Sequence, residues 1–158
     1  MNADIKQFWD LNRMYAPLRD ELMASLSDAD LAFTPGGDNP TLGELCRELG
    51  ETLYAYAQSF KTFKIDFSYR TNDDSYLQSV AKLQAWYADL DGQLEAALEA
   101  VTDDDVAHKH MDRGGYHVPL HISLDIFREA LLIFCGKASV YLKAMGVERT
   151  QMWKDWIA

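Results

Sequence analysis

An all-α fold, a four-helix bundle with a short extra C-terminal helix, is what this sequence predicts, and three observations predict it. Apolar residues recur at helical spacing through four long segments. No stretch carries a persuasive strand alternation. The breaks between segments hold helix-starting and helix-stopping residues, among them Thr41 with Glu44 and a glycine at Gly146. Amphipathic helices of this kind bury their stripes against one another, which is a bundle.

The first segment runs from Asp4 to Leu26, with Ile5, Phe8, Trp9, Leu11, Tyr15, Leu18, Leu22 and Leu26 at helical spacing. Pro17 lies inside it and should bend the helix, because it removes one backbone hydrogen bond. Phe33–Pro40 contains Pro35-Gly36-Gly37-Asp38-Asn39-Pro40 and reads as a loop. The second helix opens at the Thr41-Leu-Gly-Glu44 capping box and carries Leu42, Leu45, Cys46, Leu49, Leu53, Tyr56, Ala57 and Phe60 on one face. Lys61–Asp74 is aromatic but aperiodic, an ordered connector. A third helix is expected over about Ser75–Val101, ended by Asp103-Asp104-Asp105, and then a histidine-rich connector from His108 to His121 with Gly114-Gly115 at its centre. The fourth helix runs from near Leu120 to Met145 and stops at Gly146. A short amphipathic tail, Thr150–Ile157, carries Trp153 and Trp156. The long connectors point to a topology other than the simplest up-down-up-down arrangement.

At 158 residues the chain is most economically one domain, residues 1–158, long enough to bury roughly 70% of its unfolded surface. A formal charge of −10 excludes the basic footprint that nucleic-acid backbones and anionic membranes require. Cys46 and Cys135 fall within helical patterns, as packed, reduced thiols do. Residues 1–28 are charged throughout and lack the apolar core of a signal peptide, and no stretch of about 18 uncharged apolar residues exists. Cytoplasmic localisation is the expectation.

Three stretches carry a family resemblance: Leu31-Ala-Phe-Thr-Pro35, Thr41-Leu-Gly-Glu-Leu-Cys-Arg-Glu-Leu49, and the closing run Leu142-Lys-Ala-Met-Gly146. Their order and spacing resemble the DinB/YfiT-like family, whose second helix usually begins Ser-Ile-Gly-Glu-Leu-Leu-x-His-Leu. The resemblance implies a four-helix bundle. It also implies a divalent ion, often zinc or nickel, held by one histidine from the second helix and two from the fourth. Several family members are metal-dependent transferases or isomerases acting with low-molecular-weight thiols, and relatives often dimerise. Here the ligand positions become Glu48, Ala130 and Phe134, and only Glu48 keeps a donor atom. A borderline ion needs three or four converging N, S or O donors. The expectation is therefore no metal and no cofactor at that place, with Glu48, Ala130 and Phe134 lining a residual cleft filled by apolar packing.

Other candidates are weighed on their residues. His108, His110, His117 and His121 fall within fourteen residues, and a relocated zinc or nickel site would use Glu48 with His117 or His121. Pro119 stands between that histidine pair and argues against one helix carrying both. Glu51 and Glu129 are further oxygen donors. Neither cysteine has a basic neighbour that would activate it, and no serine sits in a nucleophile-elbow pattern. Trp9, Tyr15, Tyr54, Tyr56, Trp86 and Tyr87 read mainly as core, with a flat ligand as the alternative. The fourth helix has a second apolar face, Ile126, Ile133 and Val140, roughly 120° from the first. A helix apolar nearly all round is buried on both sides, so a homodimer or the C-terminal tail should cover it. The favoured function is a metal-free protein binding a small molecule or a partner. The alternative is a divergent metal-dependent, thiol-using transferase or hydrolase.

Overall fold

Helix capping sets the frame in the computed structural model, which describes residues 1–157. The helices are α1 (Ala3–Arg13), α2 (Ala16–Ser25), α3 (Leu42–Thr62), α4 (Val80–Glu99), α5 (Asp103–His108), α6 (Leu120–Met145) and α7 (Gln151–Trp156). Two 3₁₀ turns, Asp28–Ala32 and Asp74–Leu77, precede α3 and α4. α1 lies beside α6, α6 beside α3, and α3 beside α4, while α2 closes the ring against α4. Every long helix sends fully buried side chains to the centre, including Ile5, Leu18, Leu53, Leu83, Leu94 and Leu124. No helix among the described residues is long and apolar enough to cross a membrane.

The predicted capping box forms. Glu44 donates its amide to the Thr41 hydroxyl at 3.2 Å, and the Thr41 amide donates to the Glu44 carboxylate at 2.7 Å. These bonds satisfy two amides that the first helical turn would otherwise leave unpaired. At the other end of the bundle Gly146 adopts φ 71° and closes α6. That left-handed conformation costs glycine no Cβ clash.

Four expectations are corrected. The first helix is not one bent rod but two helices, and Pro17 sits in the first turn of α2, where its missing N–H breaks no bond. The third helix begins at Val80, capped by Ser79, after a separate 3₁₀ turn at Asp74–Leu77. The aspartates 103–105 begin α5 behind a Thr102 capping box, because carboxylates suit the positive end of a helix. The histidine-rich connector contains a short antiparallel hairpin, β1 (His110–Asp112) with β2 (His117–Pro119), which its few residues could not announce as an alternation. It is tied to the end of α3: the Ile65 amide donates to the Asp112 carbonyl and the Asp112 amide to the Phe63 carbonyl, both at 2.9 Å.

The tail also has a defined seat. Trp153 is buried and its indole N–H donates to the Leu18 carbonyl at 2.9 Å, while Trp156 meets Tyr15 edge-on. α7 therefore packs on the α1–α2 region. It leaves Ile133 and Val140 on α6 exposed at 61% and 55%, with Ile126 half-buried.

Candidate functional site

Two recesses of the bundle differ in chemistry. The first is the position implied by the family resemblance. Glu48, Ala130 and Phe134 do line one recess, together with Leu45, Leu49, Thr52, Ile133 and Lys137, but its volume is only about 160 Å³. Phe134 is 5% exposed and Glu48 projects from α3 into solvent. A phenyl ring and a methyl group offer no lone pair, so the residues here do not fit a metal ion.

The relocated alternative does not assemble either. His117 lies exposed on β2, and Pro119 caps α6, so His117 and His121 do not share a helix. His121 packs its ring against Phe8 at 5.1 Å between centroids. Among the described residues no three His, Cys, Asp or Glu side chains are grouped so as to hold an ion. Glu51 is buried at 8% but is engaged by its own neighbours. It accepts from the Thr71 amide at 3.1 Å and lies 3.5 Å from Arg70 and 3.9 Å from Arg47. That carboxylate pins the 63–79 connector to α3. Burial pushes both thiols, Cys46 and Cys135, up to about 12, which leaves them protonated and unreactive at neutral pH.

The second place is a cleft of about 500 Å³ between the α1–α2 pair and α4, with its floor in the core. That volume lies in the range of ordinary small-molecule sites. Sequence reasoning missed it, since none of its charged residues had been singled out. The break between α1 and α2 makes it: the chain turns at Met14 and Tyr15, so α1 and α2 present one wall from two directions. The other wall is α4, where Ala88 and Gly92 leave space and Asp91 and Glu95 supply charge. Trp9, Leu53, Phe127 and Leu131 form the apolar lining.

Ion pairs bridge the cleft. Arg19, 5% exposed, donates to both Asp91 oxygens at 3.0 and 2.8 Å and to Asp20 Oδ1 at 3.0 and 2.8 Å. It also stacks over the Tyr87 ring at 5.1 Å. Burial alone would lower the Arg19 pKa, but the bonds to Asp91 and Asp20 outweigh it and raise it above the usual arginine value. Further along, Glu95 Oε1 accepts from the Trp9 indole at 3.3 Å and from Arg13 at 3.4 Å.

Asn12 completes the wall. It is 4% exposed, and its Nδ2 donates to the Phe8 carbonyl at 2.8 Å and the Leu124 carbonyl at 3.0 Å. Those two carbonyls fix which way the amide points. Its Oδ1, buried, has no partner. A buried acceptor without a partner costs about 1–3 kcal/mol, and His121 Nδ1, Ser139 Oγ and Arg149 Nη1 are likewise buried without a partner. The signal available in the sequence was an Asn and an Arg on the inward stripe of the first segment, seven residues apart.

The comparisons with known proteins agree with this frame. Residues 18–127 match the DinB superfamily. The chain is similar to the crystal structure of a DinB-like protein from Bacillus subtilis, with a TM-score of 0.65 and 19% identity over 95% of this chain and 94% of that one. At that identity the likeness is one of fold. No curated protein matches the sequence.

Proposed function

The chain belongs to the DinB superfamily, and on that premise we propose that it is a metal-free small-molecule-binding protein of the cytoplasm whose ligand enters the cleft between α1–α2 and α4. The observation that carries this reading is the cleft itself, about 500 Å³, with Leu53, Phe127 and Leu131 as apolar lining and Arg13, Arg19, Asp91 and Glu95 as charged walls. Small-molecule sites combine those features, an apolar wall for affinity and a few placed polar groups for orientation. Phe134 and Ala130 at the family's ligand positions support the metal-free part, since no donor set remains there.

Two measurements test it on the purified full chain. Ligand-detected NMR with a library of small aromatic compounds should find binders in wild type that Gly92→Leu excludes, because a leucine there projects into the cleft. Hits unaffected by Gly92→Leu would remove the cleft from consideration. Elemental analysis after zinc and nickel supplementation should give no stoichiometric metal; one ion per chain would favour the metal-dependent, thiol-using transferase or hydrolase instead.

A second reading concerns assembly, and the exposed α6 face favours it. Ile133 and Val140 stand seven residues apart in solvent, with Ile126 a further heptad away. The tail, the competing cover, is engaged with α2. A second copy of the chain is the proposed cover. Ile133→Glu would place a charge in a desolvated contact and should convert a dimer to a monomer in sedimentation at unchanged helicity. A wild type already monomeric at tens of micromolar removes the interface.

A further inference from the structure

Arg13, Arg19, Arg47, Arg70 and Arg128 each form an ion pair with a carboxylate. Arg113, in the turn of the β1–β2 hairpin, forms none among the described residues, although it is half-buried. Neutral hydroxyls hold its guanidinium instead. Nε donates to Tyr116 Oη at 3.1 Å, Nη1 to Ser123 Oγ at 3.3 Å and Nη2 to Tyr56 Oη at 3.2 Å. Burial pushes the Tyr56 phenol up from its ordinary value, so it stays protonated and does not offset the charge. Of the carboxylates in reach, Asp112 gives Oδ1 to the Gly114 amide at 2.9 Å, and Glu129, whose charge is felt at Tyr56, forms no ion pair with Arg113.

The cation is also held in place. Its own amide donates to the Tyr116 carbonyl at 2.9 Å, and the hairpin is tied to the end of α3 through Ile65 and Phe63. A guanidinium carries five N–H donors, and three are used, so two remain on the Nη atoms. The Tyr116 hydroxyl only accepts, which leaves its proton to give. Large exposed rings stand around this group. Tyr116 is 55% exposed and Phe67 46% exposed; Arg113 lies 6.0 Å from the Tyr116 ring centroid, and Phe67 meets Tyr56 edge-on at 6.0 Å. A fixed cation with no counterion and with rings beside it suits a planar anion on an aromatic body, because a carboxylate takes a guanidinium fork with two parallel bonds.

We propose that Arg113 and the Tyr116 hydroxyl bind the carboxylate of a small aromatic acid, whose ring lies against Tyr116 and Phe67. Tyr56 and Ser123 are buried and act as positioning residues that aim the guanidinium. The acid is bound as the anion, and no bond is made or broken. Arg113, Tyr116, Tyr56 and Phe67 do not line the α1–α2/α4 cleft, so this site stands or falls apart from it.

Calorimetry of the full chain at neutral pH tests the assignment with phenylacetate, 2-phenylethanol and inorganic phosphate. Salt at 0.15 M keeps the screening length to about 8 Å, which limits repulsion from the net charge of −10. Phenylacetate should bind at least tenfold more tightly than the alcohol and more tightly than phosphate. Arg113→Lys, which keeps the charge and loses the fork, should weaken phenylacetate by about tenfold. Gly92→Leu should leave it unchanged. A thermal melt shows whether Arg113→Lys remains folded; if it does not, Tyr116→Phe, which removes one exposed hydroxyl, carries the test with an expected loss of about threefold. Equal or tighter binding of the alcohol overturns the proposal, and tighter binding of phosphate overturns the carboxylate assignment. Phenylacetate affinity unchanged in the variant that carries the test overturns it too. Phenylacetate binding abolished by Gly92→Leu would place the acid in the cleft and overturn the Arg113 site alone. No binding of phenylacetate at millimolar concentration overturns the Arg113 site and leaves the cleft to its own NMR test.

Discussion

The two faces of α4 are built on opposite uses of the same residue. Toward α3, Gly50 lets the Trp86 ring lie so close that a Cβ there would sit 2.2 Å from Cζ3. The ring is held in place by stacking on Tyr76 at 4.3 Å, and next to it the Tyr87 hydroxyl donates to the Cys46 carbonyl at 2.6 Å. Leu83, Leu90 and Leu94 complete a dry seam. Toward α1 and α2, Gly92 has nothing within 4 Å of where its Cβ would be, and the helices are joined by Arg19–Asp91 and Glu95 across open space. A missing side chain thus makes close packing on one face and a cleft on the other. What decides between them is whether a ring is seated on the glycine: Trp86 lies directly over Gly50, whereas nothing comes within 4 Å of the Cβ position at Gly92.

The largest effect that would break this comparison lies on the packed face. Gly50→Val places two methyl groups into the volume of a ring that is itself pinned, and overpacking of this kind costs about 3 kcal/mol. Urea denaturation should show the loss as a lower midpoint. A cost within a few tenths of a kcal/mol would mean that Trp86 swings aside freely and that the seam is looser than the geometry states.

The packed face was legible in the sequence and the open one was not. Leu83, Tyr87, Leu90 and Leu94 repeat at helical spacing, so the stripe that meets α3 announces itself. The same holds for Thr41 with Glu44 and for Gly146, where local chemistry alone fixes the helix end. Periodicity also placed Ala130 and Phe134 near the core and Glu48 near its edge, but it could not say how little space they enclose. The cleft escaped because it is a property of three elements at once. Ala88, Asp91, Gly92 and Glu95 look like an ordinary solvated face until α1 and α2 are placed opposite them. Pro17 gave no warning that the first segment splits, since a proline kinks a continuous helix or starts a new one according to the turn before it. The β1–β2 hairpin is three residues a side, too short for alternation to register.

On the open face the next effect is that of the bridge. Arg19→Met keeps the apolar length of the side chain and removes its bonds to Asp91 and Asp20. Breaking a fully buried pair typically costs about 3–5 kcal/mol. Here Asp91 is 34% exposed and Asp20 63%, so both carboxylates can be hydrated once Arg19 is gone. The expected loss is about 1–2 kcal/mol. Arg19→Lys should recover little of it, because an ammonium cannot reproduce the paired contact to both Asp91 oxygens. Full recovery by lysine in chemical denaturation would show that charge, not fork geometry, ties α2 to α4.

The smallest effect has the opposite sign, which makes it the most discriminating. Gly92 sits in the interior of α4 at helical φ, exposed, with open space around its Cβ position. Alanine there adds no clash and removes the backbone freedom that glycine gives the unfolded chain, a gain of about 0.5–1 kcal/mol. Gly50→Ala, the same exchange on the neighbouring helix α3, should lose stability, because the clash with Trp86 exceeds that helix-propensity gain. A pair of thermal melts settles the contrast: Gly92→Ala above wild type and Gly50→Ala below it. If Gly92→Ala falls below wild type, something packs against that position and the cleft is closed in solution. If it rises, the position is open in solution as it is in the structure, and only a longer side chain such as leucine reaches far enough to fill the cleft.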